Sequence, residues 1–381
     1  MKRLLFLPFF FAALLAGGAT RIVQDQCGPF TDVTPAFCPY ILELYFLGVT
    51  AGTSATTFSP DDSLTRGQGA VFVAKGLNQA LARSSRRAAL GQWWTTQNSN
   101  AVGVTNLGGL IVGVASDGTD IWVGNGNDGV IHRVRASDGK LLGTWTGALG
   151  AAIPVVAAGS VFFPGDTTPG RLYRIDPTQP PGVVETVATG LGPFPFGSTF
   201  DGSRIWTANT NGVADGSISI ITPSSTTPWP VTTVSTGFVS PYGVVFDGQN
   251  VWVADAHAGS FLKLDSAGNI VQTVAVGGTP LLPIFDGSNF WVPNAAAYVS
   301  VVSSSGTIVA ELTGNNLVFP AAAAFDGERV LVTTETGVSV WRAADLKPLG
   351  SFLTDLEVSS ACSDGLNFWL TVPSPGHLLR F

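Results

Sequence analysis

"VVFDGQNVWVADAHAGSFLKLDSAGNIVQTVAVGGTP", residues 244–280, holds an Asp-Gly pair with a tryptophan four places after the glycine, and pieces of it return along the chain. The glycine falls at Gly118, Gly159, Gly202, Gly248, Gly287, Gly327 and Gly365, at intervals of 41, 43, 46, 39, 40 and 38 residues. Asp precedes it in every case but one, where Ala158 stands instead. Trp122, Trp206, Trp252, Trp291, Leu331 and Trp369 stand four places on, and Phe162 comes one place early. A fixed period in this range marks a repeat architecture, which decides the fold before any local reading does.

One unit divides into "YGVVFDG", "QNVWVAD", "GSFLKLD" and "GNIVQTVAV": short runs rich in Val, Ile, Phe and Trp, punctuated by Gly, Asp and Asn. These read as four strands. Asp-Gly suits a tight hairpin, because Gly adopts positive φ and Asp hydrogen-bonds its own turn. Val251, Trp252 and Val253 are apolar in succession, so the second strand is buried on both faces, as when each sheet packs between two others. Four-stranded antiparallel units at this period predict a mainly β fold, a seven-bladed β-propeller with Trp as the wedge between blades. Only "NFWLTVPSPGHLLRF" follows Gly365, so the last blade is short of an outer strand. The segment "NAVGVTNLG" around Ala101 supplies it, closing the ring and removing exposed edges. The repeats over residues 94–381 resemble NHL-like and YVTN-like propellers, the class that includes streptogramin lyase. That resemblance speaks to fold; propellers host binding modules and enzymes alike.

The chain has 381 residues, 45% of them apolar and 12% charged, which suits a large buried core. Its net charge is −7 and no long basic run occurs, which argues against nucleic acid as a partner. "MKRLLFLPFFFAALLAGGAT" carries Lys2 and Arg3, then an apolar run, then Gly17 and Ala19 at the small positions of a cleavage site. Residues 1–19 read as a signal peptide, too short for a transmembrane segment, and the protein as exported. An oxidising compartment favours a disulfide between Cys27 and Cys38. Cys362, in "VSSACSDG", reads as a small hydrophobe in a buried strand.

Residues 28–81 are of a different kind. Pro35 can start a helix, Phe37, Ile41 and Leu44 share a face, and Gly48 can close it. Thr65 and Gln68 have the spacing of a capping box for a second helix with the stripe Ala70, Val73, Ala74 and Leu77. "FTDV", "LGVTAG" and "FSPDDSLTRGQGAVFVAKGL" fall in order and spacing that resemble a single S-layer homology (SLH) module. The resemblance implies attachment to the cell envelope through cell-wall polysaccharide, whose pyruvate carboxylates such modules bind, usually in sets of three. The family's anion-contacting arginine matches Arg66, in the first turn of the second helix. Free backbone N–H groups and the helix dipole also favour an anion there. The family's Thr-Arg-Ala-Glu stands here as Thr65-Arg66-Gly67-Gln68, in one copy. Arg83, Arg86 and Arg87 then fall in a linker, residues 82–93, which reads as solvated.

The loops between second and third strands collect Asn125, Asn127, Asp128, Asp166, Asn209, Asn211, Asp215, Asp255, His257, Asn294 and Glu335. A ring of oxygen ligands could hold Ca²⁺ or another divalent ion. Tight loops require the same residue types, so turn chemistry explains the set without any metal or other cofactor. His132, His257 and His377 are far apart in sequence, and no nucleophile elbow, His-Glu-x-x-His or phosphate loop occurs. Asp255 and His257 in "ADAHAG" form the one acid–histidine pair expected on that rim. The sequence therefore reads as a non-catalytic envelope protein whose propeller presents a face to a protein or glycan. The alternatives are a secreted metal-dependent lyase or lactonase using Asp255 and His257, and a purely structural surface-layer component.

Overall fold

The computed structural model describes residues 27, 29–34, 37–38, 41, 44–45, 49–84, 103–212, 215–354 and 356–381. The leader at 1–19, Pro35, Gly48, Arg86, Arg87 and Ala101 lie outside the described residues. The chain divides into two compact units, Met1–Ser85 and Arg86–Phe381.

In the first unit, Phe30 sits at the centre of a small core with Cys27 and Ile41, and Val33, Cys38, Tyr45 and Phe58 pack around it. Phe30 meets Tyr45 and Phe58 edge-on, with ring centroids 5.3 and 5.7 Å apart. The Asp32 carboxylate of "FTDV" accepts the backbone N–H groups of Phe58 (2.8 Å) and Ser59 (2.7 Å), tying that loop across the unit. Two packing expectations fail. Phe37 is 56% exposed, and Cys38, Ile41 and Tyr45 form the buried face instead. The packed face follows Phe30, which clusters with Ile41 and meets the Tyr45 ring, one residue on from Leu44 of the expected stripe. Val73 is 71% exposed and Ala70 and Ala74 are exposed too, so these three positions of the stripe expected to be buried on the helix Arg66–Ser84 are uncovered.

The second unit is a seven-bladed propeller of four-stranded antiparallel sheets. Blades 1 to 6 run in chain order from Ile111 to Leu353. In blade 4 the strands are Pro241–Phe246, Val251–Asp255, Ser260–Leu264 and Ile270–Ala275, from the axis outward. Every residue of Val251–Asp255 is buried, whereas the outermost strand is largely open to solvent. Blade 7 joins Ser360–Ser363, Phe368–Val372 and His377–Arg380 to Gly103–Asn106, which pairs Gly103 with Arg380 and Asn106 with His377. The N-terminal strand thus closes the ring.

The tryptophans are wedges. Trp252 lies against Ala254, Phe261 and Val274 of its own blade and Phe290, Val292 and Val302 of the next. Phe290 and Phe261 flank it at centroid distances of 4.8 and 5.0 Å. Each such residue faces the following blade, including Phe162, which packs with Ile205 and Trp229.

The Asp-Gly turn is longer than a two-residue hairpin. Phe246 pairs with Val251, so Asp247, Gly248, Gln249 and Asn250 form the loop. Asp247 Oδ1 accepts from the N–H groups of Gln249 (2.8 Å) and Asn250 (2.6 Å), and Gly248 takes φ 95°. Blade 2 alone has the short form: Ala157 pairs with Ser160, leaving Ala158 and Gly159 to turn with φ of 47° and 74°. The shorter turn brings Phe162 one place early.

Candidate functional site

The loops between second and third strands share one face of the propeller with the connectors between blades. In three blades the polar residue that ends the second strand bonds a connector, which explains part of the polar rim. Asp255, fully buried, accepts the backbone N–H groups of Val239 (2.8 Å) and Ser240 (2.7 Å). Asn294 accepts from Thr279 N–H (2.8 Å) and donates to Gly277 O (2.6 Å) and Tyr298 Oη (2.8 Å). Asn125 donates to Gly108 O (3.3 Å) and to Asp128 (2.9 Å). Asn209 donates to Ser217 and Ser219, at 3.0 and 2.9 Å. Backbone polar groups buried at the connectors need partners; Asp255, Asn294 and Asn125 supply them directly, and Asn209 holds Ser219, whose hydroxyl accepts the Gly192 N–H.

The rim pair does not come together as an acid–base couple. Both Asp255 oxygens are engaged by backbone, while His257 is exposed on the turn beyond. His132 is buried within blade 1, its Nδ1 3.1 Å from Thr144 Oγ1, and burial holds its pKa below the ordinary value against the opposing pull of Asp128. Among the described residues, no three His, Cys, Asp or Glu side chains gather in a metal-holding group.

What the face does contain is a cavity of about 370 Å³ at the propeller axis, whose lining includes Val112, Ile153, Phe196, Tyr242, Leu282, Ala321 and Ser359. These residues come from successive innermost strands and connectors, so the ring itself makes the cavity. Beside several of them sits a residue with no side chain. A Cβ at Gly113 would collide with Ala152 O, and one at Gly243 with Leu281 O. The innermost strands converge closely only because those positions are glycine. Phe196 and Tyr242 meet with ring centroids 4.5 Å apart at 35°. Burial, and then the Asp166 carboxylate, push the Tyr242 hydroxyl up to about 12. Partial desolvation raises Asp166 itself. Glu335 and Glu357 stand exposed in the cavity lining. Asp166, Gly126, Asn127 and Leu149 line a second cavity of about 370 Å³ that shares Val112 and Phe196 with the first. Sequence reasoning named Asp166 and Glu335 but missed Phe196, Tyr242 and Glu357. The available signal was the aromatic-Gly pair at the head of an innermost strand, in "PFG" and "PYG".

In the first unit, Thr65 and Gln68 form the capping box: Gln68 N–H donates to Thr65 Oγ1 (3.2 Å) and Thr65 N–H to Gln68 Oε1 (2.9 Å). Arg66 opens the helix and is exposed. Cys27 and Cys38 are in contact as free thiols with no bond joining them, and Cys27 Sγ donates to Cys38 O at 3.4 Å. Burial, then the hydrogen bond and charge interaction with Cys38, raise the Cys27 thiol to about 11.

The S-layer homology domain family matches residues 29–70. Those residues are an S-layer homology domain. An endoglucanase of Bacillus sp. (strain KSM-635) is 46% identical over 65 residues, 16% of this chain; the match spans 7% of that enzyme's length. The SLH domain implies anchoring at the cell surface, and no described helix is long and apolar enough to cross a membrane. The propeller is similar to a catalytically inactive virginiamycin B lyase from Staphylococcus aureus solved with quinupristin, at TM-score 0.60 and 15% identity over 73% of this chain and 99% of that one. A streptogramin B lyase structure aligns at TM-score 0.60 and 13% identity, covering 72% of this chain and 96% of that one. The WD40 propeller domain of Doa1 aligns at 0.58 and 10% identity, covering 73% and 94%. Likeness at these identities is likeness of fold.

Proposed function

We propose that this is an exported envelope protein, held to cell-wall polysaccharide through the helix start at Arg66, whose propeller binds a partner without catalysing a reaction. The observation that carries the anchoring is the SLH domain over residues 29–70, with its capping box formed and Arg66 free to meet an anion. The helix start offers unpaired N–H groups and the positive end of the dipole to a carboxylate. The binding reading is supported by the axial cavity and by polar rim residues already engaged in holding connectors. The lyase reading needs Asp255 for chemistry, and Asp255 is fully occupied by backbone.

The test is co-sedimentation of the purified protein with cell-wall sacculi. Arg66→Ala is expected to release it into the supernatant and Arg66→Lys to retain it partly, because Lys keeps the charge without the bidentate fork. Equal retention of wild type and Arg66→Ala would take Arg66 out of the site.

A further inference from the structure

We propose that the axial cavity takes a small amphipathic organic cation, an aromatic or aliphatic body bearing an ammonium group. This rests on reading the connector face as the binding face. The cavity's 370 Å³ lies within the range of about 300–1,000 Å³ usual for small-molecule sites. Its walls at Val112, Ile153, Phe196 and Leu282 offer apolar surface, which favours an organic body over a hydrated metal ion. The Phe196–Tyr242 pair adds aromatic rings, whose π-faces attract a cation.

Charge selects the head group. Glu335 and Glu357 line the cavity, Asp166 lies close enough to raise the Tyr242 pKa, and none of the three has an ion-pair partner among the described residues. The propeller's cations are elsewhere. Arg133, Arg204 and Arg329 pair with Asp120, Asp201 and Asp326 at the Asp-Gly rim. Arg135, Arg342 and Lys347 pair with Asp138 and Asp345 in the turns between third and fourth strands, also at that end. Arg171, at the head of a third strand, is the exception on the connector side. An anion would therefore meet unscreened carboxylates, and a cation meets them at the edge of an aromatic pocket. A neutral sugar is less suited: each of the eight described tryptophans is buried, so none offers a stacking platform.

The experiment is a ligand-observed NMR titration of the full mature protein with 2-phenylethylammonium, 2-phenylethanol and 3-phenylpropionate. The ammonium is expected to bind about tenfold more tightly than the alcohol, and the carboxylate without saturation. The double variant Glu335→Gln/Glu357→Gln, at two exposed positions, is expected to erase most of that tenfold preference. Tyr242→Leu is expected to weaken both the ammonium and the alcohol. Equal affinity of ammonium and alcohol, with both lost in Tyr242→Leu, overturns the cation while leaving the face as a binding face. Binding that survives Tyr242→Leu undiminished, or no binding of the ammonium at all, overturns the inference outright. Wall sedimentation of the same preparations reads the anchoring separately.

Discussion

The Trp252 indole N–H donates to Asp247 Oδ2 at 2.9 Å, while the other oxygen of that carboxylate holds the turn's backbone. One aspartate thus fixes both the turn and the rotamer of the wedge. The same bond joins Trp122 to Asp117, Trp206 to Asp201, Trp291 to Asp286 and Trp369 to Asp364, each at 2.8 Å. Where Leu331 replaces the tryptophan, Arg329 Nε donates to Asp326 Oδ2 at 2.7 Å. In blade 2 the acceptor and the donor are absent together, as Ala158 and Phe162. The period in the sequence is a period in this bond.

Removing the wedge should therefore cost more than removing the bond. Trp252→Ala is expected to destabilise the propeller by about 3–5 kcal/mol through lost burial and the cavity left behind. Trp252→Phe keeps most of the bulk and should cost less, on the order of 1–3 kcal/mol, largely from the unpaired Asp247 oxygen. Chemical denaturation ranks the two, and equal losses would separate the bond from the wedge's function.

The carboxylates give an acid limb. Burial alone would raise the Asp201 pKa. The Trp206 indole, the backbone of Arg204 and Ser203 and the Ser203 hydroxyl outweigh it and hold the group at about 2. A folded-state pKa below the unfolded value of about 3.9 contributes stability that is present above pH 4 and lost as pH falls towards 2. With solvent screening the contribution is on the order of 1 kcal/mol. Asp201→Asn should flatten the decline in stability between pH 4 and 2. An identical pH profile in the variant would contradict this assignment.

Ring closure is testable without touching the repeats. Deleting residues 101–107 removes the strand paired with His377–Arg380 and opens an apolar edge in blade 7. The truncated protein should aggregate or melt early although every Asp-Gly turn remains. A monomer with unchanged melting would show that the ring closes some other way.

Fold was legible because the interactions that build it are local and repeated: Asp247 and Trp252 are five residues apart and share one turn. The burial of the second strand followed from the unbroken apolar run Val251, Trp252 and Val253, and the closing strand from counting strands. The axial cavity was not legible, because Val112, Phe196 and Tyr242 meet only after the ring closes. Asp255 and His257 misled for a related reason. Two residues apart at the rim, they diverge because the strand ends at Asp255, which is buried against the connector at Val239 and Ser240, while His257 lies on the exposed turn that follows. In the first unit, the helical face could not be fixed without knowing where Phe30 enters.

The cysteine contact predicts a redox outcome. Exported material should carry Cys27 and Cys38 as a disulfide, stabilising the small unit by roughly 2–3 kcal/mol. Peptide mapping without reductant checks it, and two free thiols in exported material would refute the pairing. Cys362 is partly buried against the Trp369 cluster, not fully buried as its sequence setting suggests. Desolvation and then the Asp364 carboxylate hold its thiol well above the ordinary range, so it should alkylate more slowly in the folded protein than in the unfolded chain.

The central claim is that the SLH domain over residues 29–70 holds the propeller on the wall. The direct measurement is the fraction pelleted with purified sacculi for the mature protein and for the propeller alone, beginning at residue 94. Sacculi stripped of secondary polysaccharide serve as the second substrate. The account predicts that the mature protein pellets with intact sacculi, stays soluble with stripped ones, and that the propeller alone stays soluble with both. Equal pelleting of the propeller alone, or equal binding to stripped sacculi, would contradict it.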